Sequence, residues 1–255
     1  MLLAIDIGTT KIGFGVFEDD KLRVTLRIAT DIHRLADDYA SSLLNLLPSQ
    51  NVALQNINEA VIGCVVPPMV SVFEDLCKRY LKCRPLVVGA GVRTGGRIRI
   101  DNPREVGADR VANSVGAYRL YGGPAIVVAM GTATAFDAVS KEGDYLGGAI
   151  APGMEIAAEA LFLRTARLPR VELIPPPQAI GKNTVAAMQS GIIFGYLGLV
   201  EGIVTRLKQE LGEGTKVIAT GGYADLIASQ TKLVDVVNPH LTLIGLRLIY
   251  ELNRR

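Results

Sequence analysis

A chain of 255 residues, 49% of them hydrophobic, can fill one large domain or two of ordinary size. With 27 Lys and Arg against 25 Asp and Glu the formal net charge is only +2, and no basic stripe stands out, which argues against nucleic acid as the main partner. No uninterrupted apolar run approaches ~18 residues, so no membrane span is expected. The N-terminus runs straight into a strand without a basic region or cleavage site, which makes the cytoplasm the expected location.

The first elements are two apolar runs, Leu2 to Ile7 and Ile12 to Phe17, flanking Gly8-Thr9-Thr10-Lys11. This pattern predicts a β-hairpin. Gly8 allows close backbone approach to a ligand, and Thr9, Thr10 and Lys11 offer hydroxyl, amide and ammonium donors of the kind a polyphosphate needs. Asp6, at the end of the first run, would repel that phosphate unless a cation lay between them, so Mg²⁺ held by Asp6 through water is the economical reading. An ordinary hairpin with a solvated turn remains the alternative at this point.

Leu22 to Ala29 continues as a third strand. Leu35 to Leu47 has helical spacing and stops before Pro48. Ser49 to Asn58 reads as a loop, and Ala60 to Val66 as a strand buried on both faces. Val70 to Leu81 reads as a helix, Leu86 to Val88 as a short strand, and Gly89 to Asp101 as irregular chain. A helix from Ala108 to about Tyr121 ends a first half at Gly122.

The second half, from residue 123, opens with strands at Ala125 to Met130, Ala135 to Ser140 and Tyr145 to Ala151. A helix is expected from Met154 to Ala166, and one long, glycine-interrupted helical pattern from Thr184 to Leu211. Lys216 to Thr220 and Val234 to Val237 read as strands around a short helix near Ala224. Leu241 to Asn253 reads as a closing helix. Strands alternating with helices make this an α/β chain. Cys64, Cys77 and Cys83 form no C-x-x-C pair, so reduced thiols are expected. With only His33 and His240, a zinc site is not expected.

One repeat raises the hairpin above its alternative. Ala4-Ile-Asp-Ile-Gly-Thr-Thr-Lys-Ile-Gly-Phe-Gly-Val16 aligns without gaps on Val127-Val-Ala-Met-Gly-Thr-Ala-Thr-Ala-Phe-Asp-Ala-Val139. Two similar lobes, 1–122 and 123–255, would each present a Gly-Thr hairpin to a nucleotide in a cleft between them. Val217-Ile-Ala-Thr-Gly-Gly-Tyr223 adds a third glycine turn, suited to the adenosine end.

In these residues the chain resembles the actin/sugar-kinase/Hsp70 (ribonuclease H-like) superfamily, and within it the type III pantothenate kinase family. The most specific stretches are Asp101-Asn-Pro-Arg-Glu-Val-Gly-Ala-Asp-Arg110, Gly131-Thr-Ala-Thr134, Leu146-Gly-Gly-Ala-Ile-Ala-Pro-Gly153, Ile180-Gly-Lys-Asn-Thr184 and Ala219-Thr-Gly-Gly222. The resemblance implies ATP-dependent phosphorylation of pantothenate, with Asp109 as catalytic base. It implies pantothenate contacts from Gly107, Ala108, Asp109, Arg110 and Thr184, the last reaching across a homodimer interface. Nucleotide contacts are expected from Asp6, Ile7, Gly8, Thr9, Thr10, Lys11, Ile12, Gly13, Thr132, Gly221 and Gly222.

The departures from the family pattern carry expectations of their own. Ala129 stands where the family has an Asp that helps hold a monovalent cation, K⁺ or NH₄⁺, and a methyl group cannot ligate one. Lys11 stands where the family residue is usually uncharged, and its ammonium is expected to supply part of the missing positive charge. Ile100 replaces a tyrosine common beside the substrate. The alternative to an active kinase is a weakened or inactive paralogue that still binds nucleotide.

Overall fold

The computed structural model describes residues 1–254. The chain forms two compact units, one made of Met1–Leu120 with His240–Arg255, the other of Tyr121–Pro239.

In the first unit, β1 (Leu2–Ile7), β2 (Lys11–Glu18) and β3 (Lys21–Ala29) form an antiparallel meander. After α1 (Ala36–Leu46), β4 (Glu59–Cys64) pairs parallel to β1. After α2 (Met69–Leu76), β5 (Leu86–Val87) pairs parallel to β4. The sheet order is β3-β2-β1-β4-β5. Strand β1 is buried along almost its whole length because both faces are covered. On one face α1 and α2 close over it, with Tyr39 and Phe73 ring centroids 4.9 Å apart and Phe14 6.0 Å from Phe73. On the other face lie α3 (Ala108–Tyr121) and α7 (Leu241–Asn253), which bury Val111, Ala112, Val115, Leu243, Leu246 and Ile249.

The second unit repeats the plan. Strands β6 (Ala125–Met130), β7 (Ala133–Val139) and β8 (Tyr145–Pro152) form the meander, α4 (Met154–Arg164) and α5 (Thr184–Leu211) follow, and β9 (Lys216–Gly221), α6 (Ala224–Ala228) and β10 (Val236–Val237) complete it. Its order, read from the meander edge, is β8-β7-β6-β9-β10, matching the first sheet strand for strand. Strands β1 and β6 share one burial pattern, with Asp6 and Ala129 at the same partly open position. Each meander has its register shift at the corresponding place, between Val16 and Phe17 and between Ala138 and Val139.

The repeat is therefore real, but its alignment needs correction after the turn. Ile7 pairs with Ile12 across four intervening residues, whereas Met130 pairs with Thr134 across three. The second turn is one residue shorter, so Thr134 corresponds to Ile12, and buried Phe136 corresponds to buried Phe14. The strand read from Ala135 accordingly begins at Ala133. A one-residue slip would send every following side chain to the wrong face, and burial sets the register.

Three further expectations change. The closing helix α7 packs on β1, β2 and β4 and so belongs to the first unit, not to the half it follows in sequence. The helix read from Val70 to Leu81 is an α-helix only to Leu76, and a π-type turn from Cys77 to Leu81 continues it, closed by left-handed Lys82. Helix α5 is long and apolar enough, by length and composition, to cross a membrane, which the run-based reading had not expected. Its glycines and scattered polar residues interrupt the run but barely lower its mean hydropathy. One face, including Met188, Ile192, Ile193, Tyr196, Val200 and Val204, is buried in the second unit's core.

The approach of α7 to α3 gives a stability test. A Cβ on Gly245 would lie 1.9 Å from the Ala112 carbonyl oxygen. Gly245→Ala is expected to cost about 1–3 kcal/mol. Gly191→Ala, in α5 with open space around it, is expected to stabilise by up to ~1 kcal/mol. Urea denaturation of both variants checks the contrast.

Candidate active site

In the first unit, register assembles the acidic centre. Asp6 pairs with Gly13 on β2 and with Gly63 on β4, so glycine flanks it on both neighbouring strands. A Cβ on Gly13 would lie 3.8 Å from the Asp6 Cβ, whereas the space over Gly63 is taken by Leu246. The hairpin turn is held by a Gly8 N–H to Lys11 carbonyl bond of 3.1 Å, and residue 30 braces it from the end of β3. The Thr30 hydroxyl donates to the Gly8 carbonyl at 2.7 Å, and its N–H donates to the Thr10 carbonyl at 3.0 Å. Thr9 and Thr10 are exposed at the tip. Lys11 is exposed as the first residue of β2, opposite Ala29, so it belongs to the strand rather than to the turn. Ile7 and Ile12 are fully buried, so their side chains brace the turn.

Asp109 lies in the first turn of α3. Its carboxylate curls back over Gly107: a Cβ there would meet Asp109 Oδ1 at 2.5 Å and Val65 Cγ1 at 3.3 Å. A side chain at Gly107 would therefore displace that carboxylate. The Gly107 carbonyl accepts the Val111 N–H at 3.1 Å and starts the helix. Val65 directly follows β4, and its N–H donates to the Ile7 carbonyl at 3.0 Å, so the segment beside Asp109 is tied to the end of β1. Ala108 is buried beneath Asp109, and Arg110 is partly exposed.

Asp6 and Asp109 interact. Burial first, and then the charge of Asp109, push the Asp6 carboxyl up to about 7. A carboxylate raised by these two causes is one that a cation would return to its ionised form. The residues present therefore fit a divalent ion at Asp6. Cys64, the residue opposite Ile7, has its thiol raised mainly by burial and to a lesser degree by Asp6.

The second unit carries the other glycine turns. The Gly131 N–H donates to the Ala133 carbonyl at 3.1 Å, which presents partly exposed Thr132. Gly153, the N-cap of α4, comes close to this turn: its N–H donates to the Thr132 carbonyl at 3.1 Å, and a Cβ would lie 2.3 Å from both the Gly131 and Thr132 oxygens. Gly221 has φ +100° and room for no side chain, since a Cβ would lie 2.3 Å from the Met130 oxygen. The Gly222 N–H donates to that same oxygen at 3.1 Å. Strands β6 and β9 and the start of α4 thus bring Thr132, Gly153, Gly221 and Gly222 together within one unit.

Ala129 sits opposite Ala135 and Thr220, where the first unit places Asp6 between two glycines. Thr184 begins α5 and is exposed, and the Asn183 side chain caps that helix by accepting the Ala186 N–H at 2.8 Å.

Several supporting residues escaped the sequence reading. Thr30 clamps the first turn from a distant strand. Thr134 is fully buried, 2.6 Å from the Tyr196 hydroxyl and 3.4 Å from the Pro152 carbonyl, linking the second hairpin to α5 and β8. The Tyr223 hydroxyl donates to Glu155 Oε1 at 2.7 Å and ties the Gly221–Gly222 turn to α4. Gly153, Thr134 and Tyr223 were visible as parts of motifs, but their partners Tyr196 and Glu155, and Thr30, have no local signature.

The Asp6 environment sets a pH dependence. The folded chain holds the Asp6 proton up to about pH 7, while an unfolded Asp releases it near 3.8. The folded state then binds more protons, so stability without ligand falls as pH rises through that window. Asp6→Asn removes the charge, so its thermal midpoint is expected to exceed that of the native chain at pH 8 and to match it near pH 4. An unchanged difference across that range would refute the buried-charge account.

The family model for type III pantothenate kinase matches residues 2–206. A type III pantothenate kinase of Roseiflexus sp. (strain RS-1) is 53% identical over 254 residues, covering 100% of both chains. That of Moorella thermoacetica (strain ATCC 39073 / JCM 9320) is 53% identical over 253 residues, covering 99% of this chain and 100% of the relative. Among solved structures, a Sinorhizobium meliloti protein assigned as a 2-dehydro-3-deoxygalactonokinase superposes with a TM-score of 0.58 at 12% identity, covering 98% of this chain and 96% of the other, which supports the sugar-kinase type of fold. With its two matching five-stranded sheets and this likeness along its whole length, the chain belongs to the type III pantothenate kinase family.

Proposed function

We propose that this chain transfers the terminal phosphoryl group of ATP to pantothenate, forming 4′-phosphopantothenate at the start of coenzyme A synthesis. The observation that carries this reading is the full-length identity to pantothenate kinases, joined to an Asp6–Asp109 pair of the kind a phosphoryl transfer site requires. Phosphoryl transfer depends on positioning and electrostatics more than on covalent chemistry. In our reading Asp109 accepts the proton of the pantothenate hydroxyl as its oxygen attacks phosphorus. Gly107, Ala108 and Arg110 hold the substrate, and Thr184, at the start of α5, receives part of it. Thr9, Thr10 and Lys11 donate to phosphate oxygens in the first unit, while Asp6, with Ile7, Gly8, Ile12 and Gly13 shaping its surroundings, would hold Mg²⁺ through water. Bound there, the ion would supply positive charge against the phosphates and against Asp6 itself. In the second unit, Thr132 donates to phosphate, and Gly221 and Gly222 let the adenosine approach the backbone.

We further assign a homodimer working in the cytoplasm. Exposed Ile150, Ile156, Leu163, Ile180 and Val185, on or near β8, α4 and the start of α5, support a second copy as the partner of that surface. Ala129 favours one competing reading, a paralogue that binds nucleotide without turning it over. ADP release coupled to added pantothenate separates the two. The native chain is expected to turn over, and Asp109→Asn to lose about 10²–10⁴-fold in kcat. Pantothenate-independent or absent ADP release would overturn the kinase reading and leave the paralogue.

Ala129 also predicts the response to monovalent cations. Replacing Na⁺ by K⁺ is expected to change the native rate little, with the Lys11 ammonium supplying positive charge instead. Ala129→Asp is expected to raise turnover in potassium. Strong potassium dependence of the native chain would refute the role given to Lys11.

A further inference from the structure

We propose that Cys77 and Cys83 form a reversible redox modification site, which hydrogen peroxide or a related hydroperoxide closes into an intramolecular disulfide. The π-type turn from Cys77 to Leu81 ends at left-handed Lys82, φ 56°, and this reversal folds the next residue back over the start of the turn. The Cys83 N–H donates to the Cys77 carbonyl at 3.2 Å, so the two backbones are already in contact. The side chains follow: the two thiols are near enough for each to shift the other's proton affinity. Both are free cysteines packed against the same core. Cysteines whose backbones are joined by a hydrogen bond and whose thiols interact are placed for the close approach a disulfide needs.

The two sulfurs are unequal. Cys77 is fully buried, whereas Cys83 is half-buried. The interaction with Cys77 lowers the Cys83 thiol, against burial and the Glu59 charge, while the interaction with Cys83 and burial push the Cys77 thiol up. Cys83, the sulfur that solvent peroxide reaches, is therefore the attacking thiolate and buried Cys77 the resolving thiol. The Cys83 sulfur attacks one peroxide oxygen, the O–O bond breaks, and the other oxygen leaves as hydroxide, which takes a proton to become water. The Cys77 sulfur then attacks the sulfur of the Cys83 sulfenic acid. The S–S bond forms, the S–O bond breaks, and the departing oxygen leaves as a second water carrying the Cys77 proton. Two thiols are oxidised by two electrons and one peroxide is reduced to two waters. A dithiol reductant reverses the step.

Cys64 is an internal control. It is half-buried like Cys83, but its thiol is bonded to the Val66 carbonyl at 3.1 Å, and burial and Asp6 push it up. The site also lies away from Asp6: Cys83 adjoins Glu59, the first residue of β4, whereas Asp6 faces Gly63 near its end.

The test treats the reduced full-length protein with hydrogen peroxide and maps peptides by mass spectrometry. A Cys77–Cys83 cross-link lacking two hydrogens, removed by dithiothreitol, is expected before any oxidation of Cys64. In Cys77→Ala, dimedone is expected to trap a sulfenic acid at Cys83, and Cys83→Ala is expected to leave Cys77 unlabelled. The mapped disulfide form of the native chain is expected to melt several degrees higher than the reduced form, as a bridge closing a native contact should. Absence of the cross-link in the native chain, earlier oxidation of Cys64, linkage between two chains, or a lower melting point of the bridged form would each overturn the proposal.

Discussion

Two carboxyl groups held near each other at the end of a buried strand are the constraint on which the first unit turns. Asp6 is fixed by its register on β1 and Asp109 by the first turn of α3, and burial first and then the charge of Asp109 raise the proton affinity of Asp6. Left alone, such a pair opposes its own ionisation. The nearby turn exposes Thr9 and Thr10, whose donors can serve a counter-charged ligand. Much of the packing serves this geometry. Tyr39, Phe14 and Phe73 cover one face of the sheet, α3 and α7 cover the other, and Thr30 reaches back to hold the turn.

The second unit shows the same scaffold without the acid. Sheet order, burial along the first strand and the place of the meander's irregularity all repeat. What differs is local and chemical. Ala129 lies between Ala135 and Thr220, and the turn is shortened by one residue and closed from the side by Gly153. The result is a unit whose glycine turns present backbone and hydroxyl groups and whose Ala129 position carries no carboxylate. Duplication thus preserved the framework while the ends of the strands diverged.

Much of this was legible in residue order. Helices from Ala108 to Tyr121, Thr184 to Leu211 and Leu241 to Asn253 follow their apolar spacing closely, and the first hairpin follows from two apolar runs around the Gly8 turn. The errors have physical reasons. A gapless repeat cannot reveal a turn shortened by one residue, because Gly-Thr precedes both versions, and only the burial of Phe136 in register with Phe14 resolves it. The π-type turn keeps helical composition through Leu81, so spacing alone reads it as continuous helix. Thr30, Tyr196 and Glu155 act through partners distant in sequence, and nothing beside them in the chain marks that role. The glycines were legible as flexible points, but the backbone crowding that makes Gly153 necessary comes from three-dimensional neighbours.

The return of α7 to the sheet of the first unit has a consequence for biosynthesis. The second unit is one uninterrupted stretch inserted between two parts of the other, Met1–Leu120 and His240–Arg255. A ribosome therefore releases every residue of the inserted unit before the outer one has the helix that covers β1 and β4. During translation the earlier-made sheet waits with Leu2, Ala4 and Val61 lacking their Leu243, Leu246 and Ile249 cover. The protein made first is completed last, and a ribosome stalled just before Leu241 would leave an apolar sheet face for chaperones to guard.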